Sequence, residues 1–189
     1  MDALVMCGGQ GSRLEFEGEK PQYEIAGQPM IDRVIDALEA STVDQVSAVG
    51  SPQVPETRAH VDIPVIEGTG DGYVADLSLA LEQVEQPVLT LGADLPLLDG
   101  PAIDWVLDAY DTGSAMVAVP VERKTELGVS IDSTSEYQGT IVTPTGVNVV
   151  GDPEPEDTLM TTDPKFAVNV NRPRDAWIAT VLAGSNGPR

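Results

Sequence analysis

Leu4-Val5-Met6-Cys7-Gly8-Gly9-Gln10-Gly11-Ser12-Arg13-Leu14, followed shortly by Glu19-Lys20-Pro21, is the stretch on which the reading of this chain turns. The apolar run Ala3–Met6 predicts a short buried strand, and Gly8-Gly9 ends it. Glycines directly after a strand let the backbone approach an anion closely and reach positive φ. Successive backbone N–H groups in such a turn form a concavity suited to phosphate oxygens. Cys7, Gly8, Gly9, Gln10, Gly11 and Ser12 are therefore the candidate phosphate-binding turn, with Arg13 supplying a fork of donors to phosphate. Two other glycine motifs do not fit. A Walker loop requires Lys-Ser/Thr directly after its last glycine, and the first lysine here is Lys20. A dinucleotide fingerprint requires a third glycine three residues after Gly11, where Leu14 stands.

Outward from this turn, strand and helix signals alternate. Ile31, Val34, Ile35 and Leu38 mark an amphipathic helix over about 29–40, and Val46–Val49 reads as a second strand. Pro64-Val65-Ile66 is a brief third strand, and Val74, Leu77, Leu81 and Val84 line one face of a helix. Val88–Leu91 is a central strand ending at Gly92-Ala93-Asp94, and Ile103, Val106, Leu107 and Tyr110 form another helical stripe. From Ala115 the pattern predicts strands at Ala115–Val119, Gly139–Val142, Val147–Val150 and Phe166–Val170. The acidic, proline-rich Gly151–Pro164 reads as a loop or flap. A last helix is expected from about Pro173 to Leu182, with residues 184–189 a frayed tail. Alternating strands and helices imply an α/β fold, a mostly parallel sheet covered on both faces. The 189 residues suit one domain, 1–189.

Composition narrows the function classes. Asp plus Glu number 31 and Lys plus Arg 10, a net charge of −21, which argues against nonspecific nucleic-acid binding. Such self-repulsion is relieved by molar salt, and a halophilic source is expected. No stretch approaches the roughly 20 apolar residues of a membrane helix, and no leader pattern precedes Ala3, so a cytoplasmic protein without membrane insertion is expected. With one cysteine and one histidine, an ordinary zinc site is excluded. Cys7 reads as a small packing residue and His60 as a surface one.

Gly-Gly-x-Gly-Ser-Arg-Leu with Glu19-Lys20-Pro21 resembles the signature of the nucleotidyltransferase superfamily that activates sugar phosphates and molybdenum cofactor. Over nearly the whole chain the sequence most resembles the archaeal adenosylcobinamide-phosphate guanylyltransferase family. The residues that carry this are Met1–Met6, Gly27–Asp32, Gly68–Tyr73 with Asp76-Leu77, Ala93-Asp94-Leu95, Thr145–Val150 and Asn169-Val170-Asn171. Gln10 and Cys7 depart from the pattern, in which lysine and alanine are usual. The resemblance implies a Rossmann-like three-layer α/β/α fold and transfer of GMP from GTP to a corrinoid phosphate, with pyrophosphate released. Rival readings are a molybdenum-cofactor or sugar-phosphate nucleotidylyltransferase, and a nucleotide-binding module without turnover.

The chemistry joins two anions, so positive charge must be supplied locally. Mg²⁺ suits this, bound by one or two carboxylates plus phosphates and waters. Asp94 follows an apolar strand and is expected at its carboxyl end, where ligands of open α/β sheets bind. Asn171, with Asn169 as alternate, resembles the superfamily's second metal position. Arg13 and Lys20 are expected on the phosphates, Lys20 nearest the α-phosphate, so that Lys20, Arg13 and Asp94 are the catalytic candidates. Gly50-Ser51-Pro52 and Gly68, Gly70 and Gly72 either line the base pocket or are plain sheet-end loops. Asp76 belongs to that site or faces solvent. Gly146 and Asn148 resemble the family's corrinoid-side strand, and relatives imply a homodimer.

Overall fold

The apolar run Ala3–Met6 forms β1, and all four of its side chains are buried. Their alternation sends Ala3 and Val5 into one core and Leu4 and Met6 into another on the opposite face. A strand buried on both faces needs helices on both, and the chain provides them. A computed structural model describes residues 1–9 and 11–185. After β1 come β2 (Glu24–Ile25), β3 (Gln28–Pro29), α1 (Met30–Glu39), β4 (Val46–Gly50), α2 (Pro55–His60), β5 (Val65–Glu67), α3 (Tyr73–Leu81), β6 (Val88–Gly92) and α4 (Gly100–Ala109). The second half adds β7 (Ser114–Pro120), α5 (Val121–Leu127), β8 (Ser135–Tyr137), β9 (Thr140–Val150), β10 (Glu156–Met160), α6 (Pro164–Ala167) and α7 (Pro173–Ser185).

The main sheet has the order β10-β7-β9-β6-β1-β4-β5, with β8 beside β9. β5, β4, β1 and β6 are mutually parallel, so their carboxyl ends share one edge. Among the described residues β9 is the one strand of this sheet that runs the other way, antiparallel to β6, β7 and β8. α1 and α4 cover one face through Ile31, Val34, Leu38, Ile103 and Val106, and α3 covers the other through Ala80. Leu4 has no exposed surface, so truncating it to alanine would cost about 2–5 kcal/mol. A third apolar cluster, including Leu14, Ile25, Val170 and Ile178, seats α7 beside the small β2–β3 hairpin. The mostly parallel α/β fold expected from the sequence is therefore present.

Four expectations need correction. Gly139–Val142 and Val147–Val150 are not separate strands but parts of β9, which continues through Pro144 and Gly146. It does so by a bulge: Met116 pairs with Asn148 while Ala118 pairs with Pro144, two residues of β7 against four of β9. Phe166–Val170 is not a strand. Asp163 accepts the Lys165 amide at 2.9 Å and Pro164 opens the short helix α6. The stretch Gly151–Pro164 is not simply a loop, because Glu156–Met160 pairs in parallel with β7 as the sheet's edge strand. Its acidic residues stand exposed, as suits an edge that must not pair further. Finally, α7 runs on through Gly184 to Ser185, and residues 186–189 of the expected tail lie outside the described residues.

Candidate active site

Because β1, β4, β5 and β6 point the same way, Cys7-Gly8-Gly9, Gly50-Ser51, Gly68 and Gly92–Asp94 all emerge on one edge of the sheet. A cavity of about 530 Å³ opens there. Cys7, Gly8, Gly9, Lys20, Asp94 and Gly146 are on its wall. Gly11 has φ +63°, and a Cβ built there would lie 2.5 Å from Lys20 Cβ. Glycine is thus required twice over, by conformation and by the close passage of Lys20.

Lys20 is the centre of the constellation. Its ammonium donates to Asp94 Oδ2 at 2.6 Å and to Asn171 Oδ1 at 2.7 Å. Three residues picked from distant parts of the sequence meet at one point. The lysine side chain is 13 % exposed, which strengthens a charge pair relative to open solvent. Its neighbour Glu19 fixes it from behind: both carboxylate oxygens accept from the first turn of α2, at 2.8 Å from the Glu56 amide and 2.6 Å from that of Thr57. Val54, which precedes α2, gives that helix no side-chain cap, and Glu19 supplies one from elsewhere in the chain.

A second node adjoins the first. Asn171 turns its amide nitrogen to Asp132 Oδ2 at 3.1 Å, while Arg13 and Arg172 both donate to Asp132 Oδ1, at 2.7 and 2.9 Å. Below them Asp175, 1 % exposed, accepts the amides of Ser130, Asn171 and Arg172 and the Ser130 hydroxyl. This ties the start of α7 to the loop that carries Asp132. Lys124 is buried and donates to Asn169 Oδ1 at 2.9 Å; burial pulls its pKa below the ordinary lysine value, against the pull of Asp175, Asp94 and Asp132. Asn169 in turn donates to the Thr145 carbonyl at 2.6 Å and lies on the cavity wall. Thr145 bonds the Val117 carbonyl, so the bulge that exposes Gly146 is pinned from both sides.

On the far wall the loop after β5 is ordered by Asp76, whose carboxylate accepts the Gly70 amide at 2.9 Å and the Thr69 hydroxyl at 3.2 Å. Asp76 is buried rather than solvent-facing. A Cβ on Gly68 would lie 2.5 Å from its Cγ, so Gly68 works by making room for Asp76. Gly70 and Gly72 line the cavity, but Gly68, Gly50 and Ser51 do not; Ser51 is a support, its hydroxyl bonding the Gly8 carbonyl at 3.3 Å. Asn148 is also absent from the wall; it pairs in register with Thr90 two residues beyond Gly146. Gln10 lies outside the described residues, and Ser12 is exposed. Cys7 packs as expected: its thiol donates to the Val49 carbonyl at 3.2 Å, and burial pushes its pKa up to about 12. His60 sits on the surface, 2.8 Å from Asp32.

Sequence reasoning missed Glu19, Asp132, Lys124 and Asp175. Glu19 stood inside the quoted motif, next to Lys20. The other three carry no local signal, since their roles arise from segments far apart in the chain.

As a donor set, Asp94 Oδ2 and Asn171 Oδ1 are two hard oxygens aimed at one cationic point, which Lys20 Nζ now holds. Among the described residues no three His, Cys, Asp or Glu side chains gather as a metal cage. A site of one carboxylate and one amide oxygen fits magnesium that keeps its waters and shares substrate phosphates.

Residues 3–131 match the family model described as the MobA-like NTP transferase domain. An adenosylcobinamide-phosphate guanylyltransferase of Methanocaldococcus jannaschii is 27 % identical over 99 % of this chain and 100 % of its own length. A probable molybdenum cofactor guanylyltransferase of Thermococcus sibiricus is 26 % identical over 64 % of this chain and 61 % of its own. Among solved structures, a hypothetical transferase from Thermus thermophilus superposes with a TM-score of 0.71 at 20 % identity, covering 93 % of this chain and 98 % of that one.

Proposed function

Because the chain belongs to the MobA-like NTP transferase domain family, and is thereby a nucleotidyltransferase, we propose that it transfers GMP from GTP to adenosylcobinamide phosphate. The observation that carries this reading is the meeting of Lys20, Asp94 and Asn171 beside the glycine turn. The acceptor's choice rests on the full-length likeness to the Methanocaldococcus jannaschii enzyme. With GTP as donor, the setting is the cytoplasm.

In the proposed step an oxygen of the acceptor's phosphate forms a bond to the α-phosphorus of GTP. The bond from that phosphorus to the β-bridging oxygen breaks, and pyrophosphate leaves with the electron pair. No covalent intermediate on the protein is needed, so the side chains act by position and charge. The amides of Gly8 and Gly9, on the cavity wall, would donate to the phosphates. Asp94 and Asn171 would hold magnesium, which supplies neutralising charge to the α-phosphate and the leaving group. Lys20, on the same wall and relieved of those two oxygens, would turn its ammonium to the α-phosphate and meet the charge that grows there. Arg13 takes the outer phosphates. Gly146, on the cavity wall, is the acceptor-side residue of this reading, while Asn148 further along β9 lies off that wall and would act through the strand.

Pyrophosphate release measured with GTP, ATP, CTP or UTP, each against adenosylcobinamide phosphate, a sugar 1-phosphate and molybdenum cofactor, tests the assignment. GTP with the corrinoid phosphate should turn over fastest. Turnover confined to a sugar 1-phosphate or to molybdenum cofactor would overturn it. Lys20→Ala should lower turnover about 10²-fold or more, the usual cost of losing a charge stabiliser. A loss below about tenfold would remove Lys20 from its role.

A further inference from the structure

The cations of this chain are not spread evenly. Of its ten lysines and arginines, Arg13, Lys20, Lys124 and Arg172 lie in the two adjoining nodes described above. They face the carboxylates of Asp94, Asp132 and Asp175, four positive charges against three negative in a chain of net charge −21. Elsewhere Arg58 pairs with Glu67, Arg123 with Glu126, and Lys165 with Asp99, while Arg33 and Arg174 donate to the Pro96 and Gly128 carbonyls. Arg13 and Arg172 instead share a single oxygen of Asp132. Two guanidiniums brought to one atom repel each other, and acidic side chains are abundant enough here to have separated them.

We propose that Arg172 is a second guanidinium of the polyphosphate site, held beside Arg13 by Asp132 until the outer phosphates of the nucleotide take both. The geometry of the chain supports this. Asn171 bridges from Lys20 at the cavity wall to Asp132, so a chain of two residues links the lysine to both arginines, which stand at the rim beyond that wall. The side chains of Arg13 and Arg172 are 54 % and 42 % exposed, within reach of a ligand from solvent. Ion pairs as open as these are weak, so a multiply charged phosphate chain outcompetes a lone carboxylate for them. Planar guanidiniums also match phosphate oxygens two at a time, which a lysine cannot do. Position 172 follows the Asn169-Val170-Asn171 motif directly, so the backbone that delivers Asn171 to Lys20 also delivers Arg172 to the phosphates.

The inference rests on the reading of the cavity as a nucleotide site, but not on guanine or on the corrinoid. Calorimetric titration with inorganic pyrophosphate and with GMP, in magnesium, separates it from both. Arg172→Ala should weaken pyrophosphate binding about tenfold or more, the scale of one lost charge-assisted hydrogen bond, and leave GMP binding within about twofold. Arg172→Lys should recover only part of the loss, because a point charge replaces a fork. Pyrophosphate binding unchanged in Arg172→Ala would overturn the proposal. So would equal losses for pyrophosphate and GMP, which would make Arg172 a structural tie between α7 and the Asp132 loop. An acceptor or base other than those proposed would leave the pyrophosphate result standing.

Discussion

Adding one methyl group at Gly11 tests the positioning argument without touching any charge. Gly11→Ala places a Cβ where φ is +63°, a conformation that costs an L-residue about 1–2 kcal/mol. The same Cβ would lie 2.5 Å from Lys20 Cβ and 3.0 Å from its Cγ, well inside van der Waals contact. Neither atom is the free end of a side chain, because Lys20 Nζ is held at 2.6 Å from Asp94 and 2.7 Å from Asn171. Relief therefore requires the turn and the lysine backbone to part by about an ångström. A misplacement of that size costs about 10²-fold in rate when charge must be met in a fixed place. The strain itself should lower the melting temperature by about 2–8 °C for a chain of this size. Steady-state pyrophosphate release beside a thermal melt reads both. A variant within about threefold of the parent in turnover would refute the claim that Lys20 must be placed to within an ångström.

Two further outcomes follow from the surroundings of the turn. Glu19→Ala removes the carboxylate that caps α2 and should cost about 1 kcal/mol of stability, with turnover falling further than Glu19→Gln, which keeps one acceptor; equal effects in melts and assays would make the cap irrelevant. The Cys7 thiol, pushed up to about 12, stays protonated through pH 8–9, so a thiol-reactive disulfide reagent should modify the native protein slowly and the unfolded chain at once; rapid native labelling would show the thiol to be accessible as thiolate.

Much of this fold was readable from periodicity. β1, α1, β4, β6 and α4 carry apolar residues at the spacing their environments demand, and each formed within a residue or a few of its expected place. The failures share a cause. β10 hides among acidic residues because an edge strand gains from charge, and a charged strand looks like a loop. Phe166–Val170 is apolar for burial in a turn of helix and the coil after it, and a short apolar run does not reveal which. α2, α5 and the β2–β3 hairpin are too short to show a period.

The site divides in the same way. Lys20, Asp94 and Asn171 stood in recognisable motifs, and the structure brings them together. Gly50, Ser51 and Gly68 stand behind the wall rather than on it, since a glycine in sequence does not say whether it admits a ligand or a neighbouring side chain. Asp132 and Lys124 had no signal at all, because the charges they answer lie as far away in the chain as Arg13 and Asp175.

The cleft has walls of unequal stiffness. On one side, the strands end at their carboxyl tips and pass into loops held by side chains such as Asp76 rather than by strand pairing. On the other side, Gly146 sits in the bulge of β9, with Val147–Val150 paired to β6 and with Pro144 and Asn148 paired to β7 on either side of it. Pairing on both sides of the bulge limits the travel of that wall, so tightening around a bound molecule falls first to the segments around Gln53 and Gly70. Amide deuterium uptake would record this as an asymmetry, with slow exchange in the paired residues of β9 that flank Gly146 whether or not ligand is there, and ligand-dependent slowing strongest at the opposite rim.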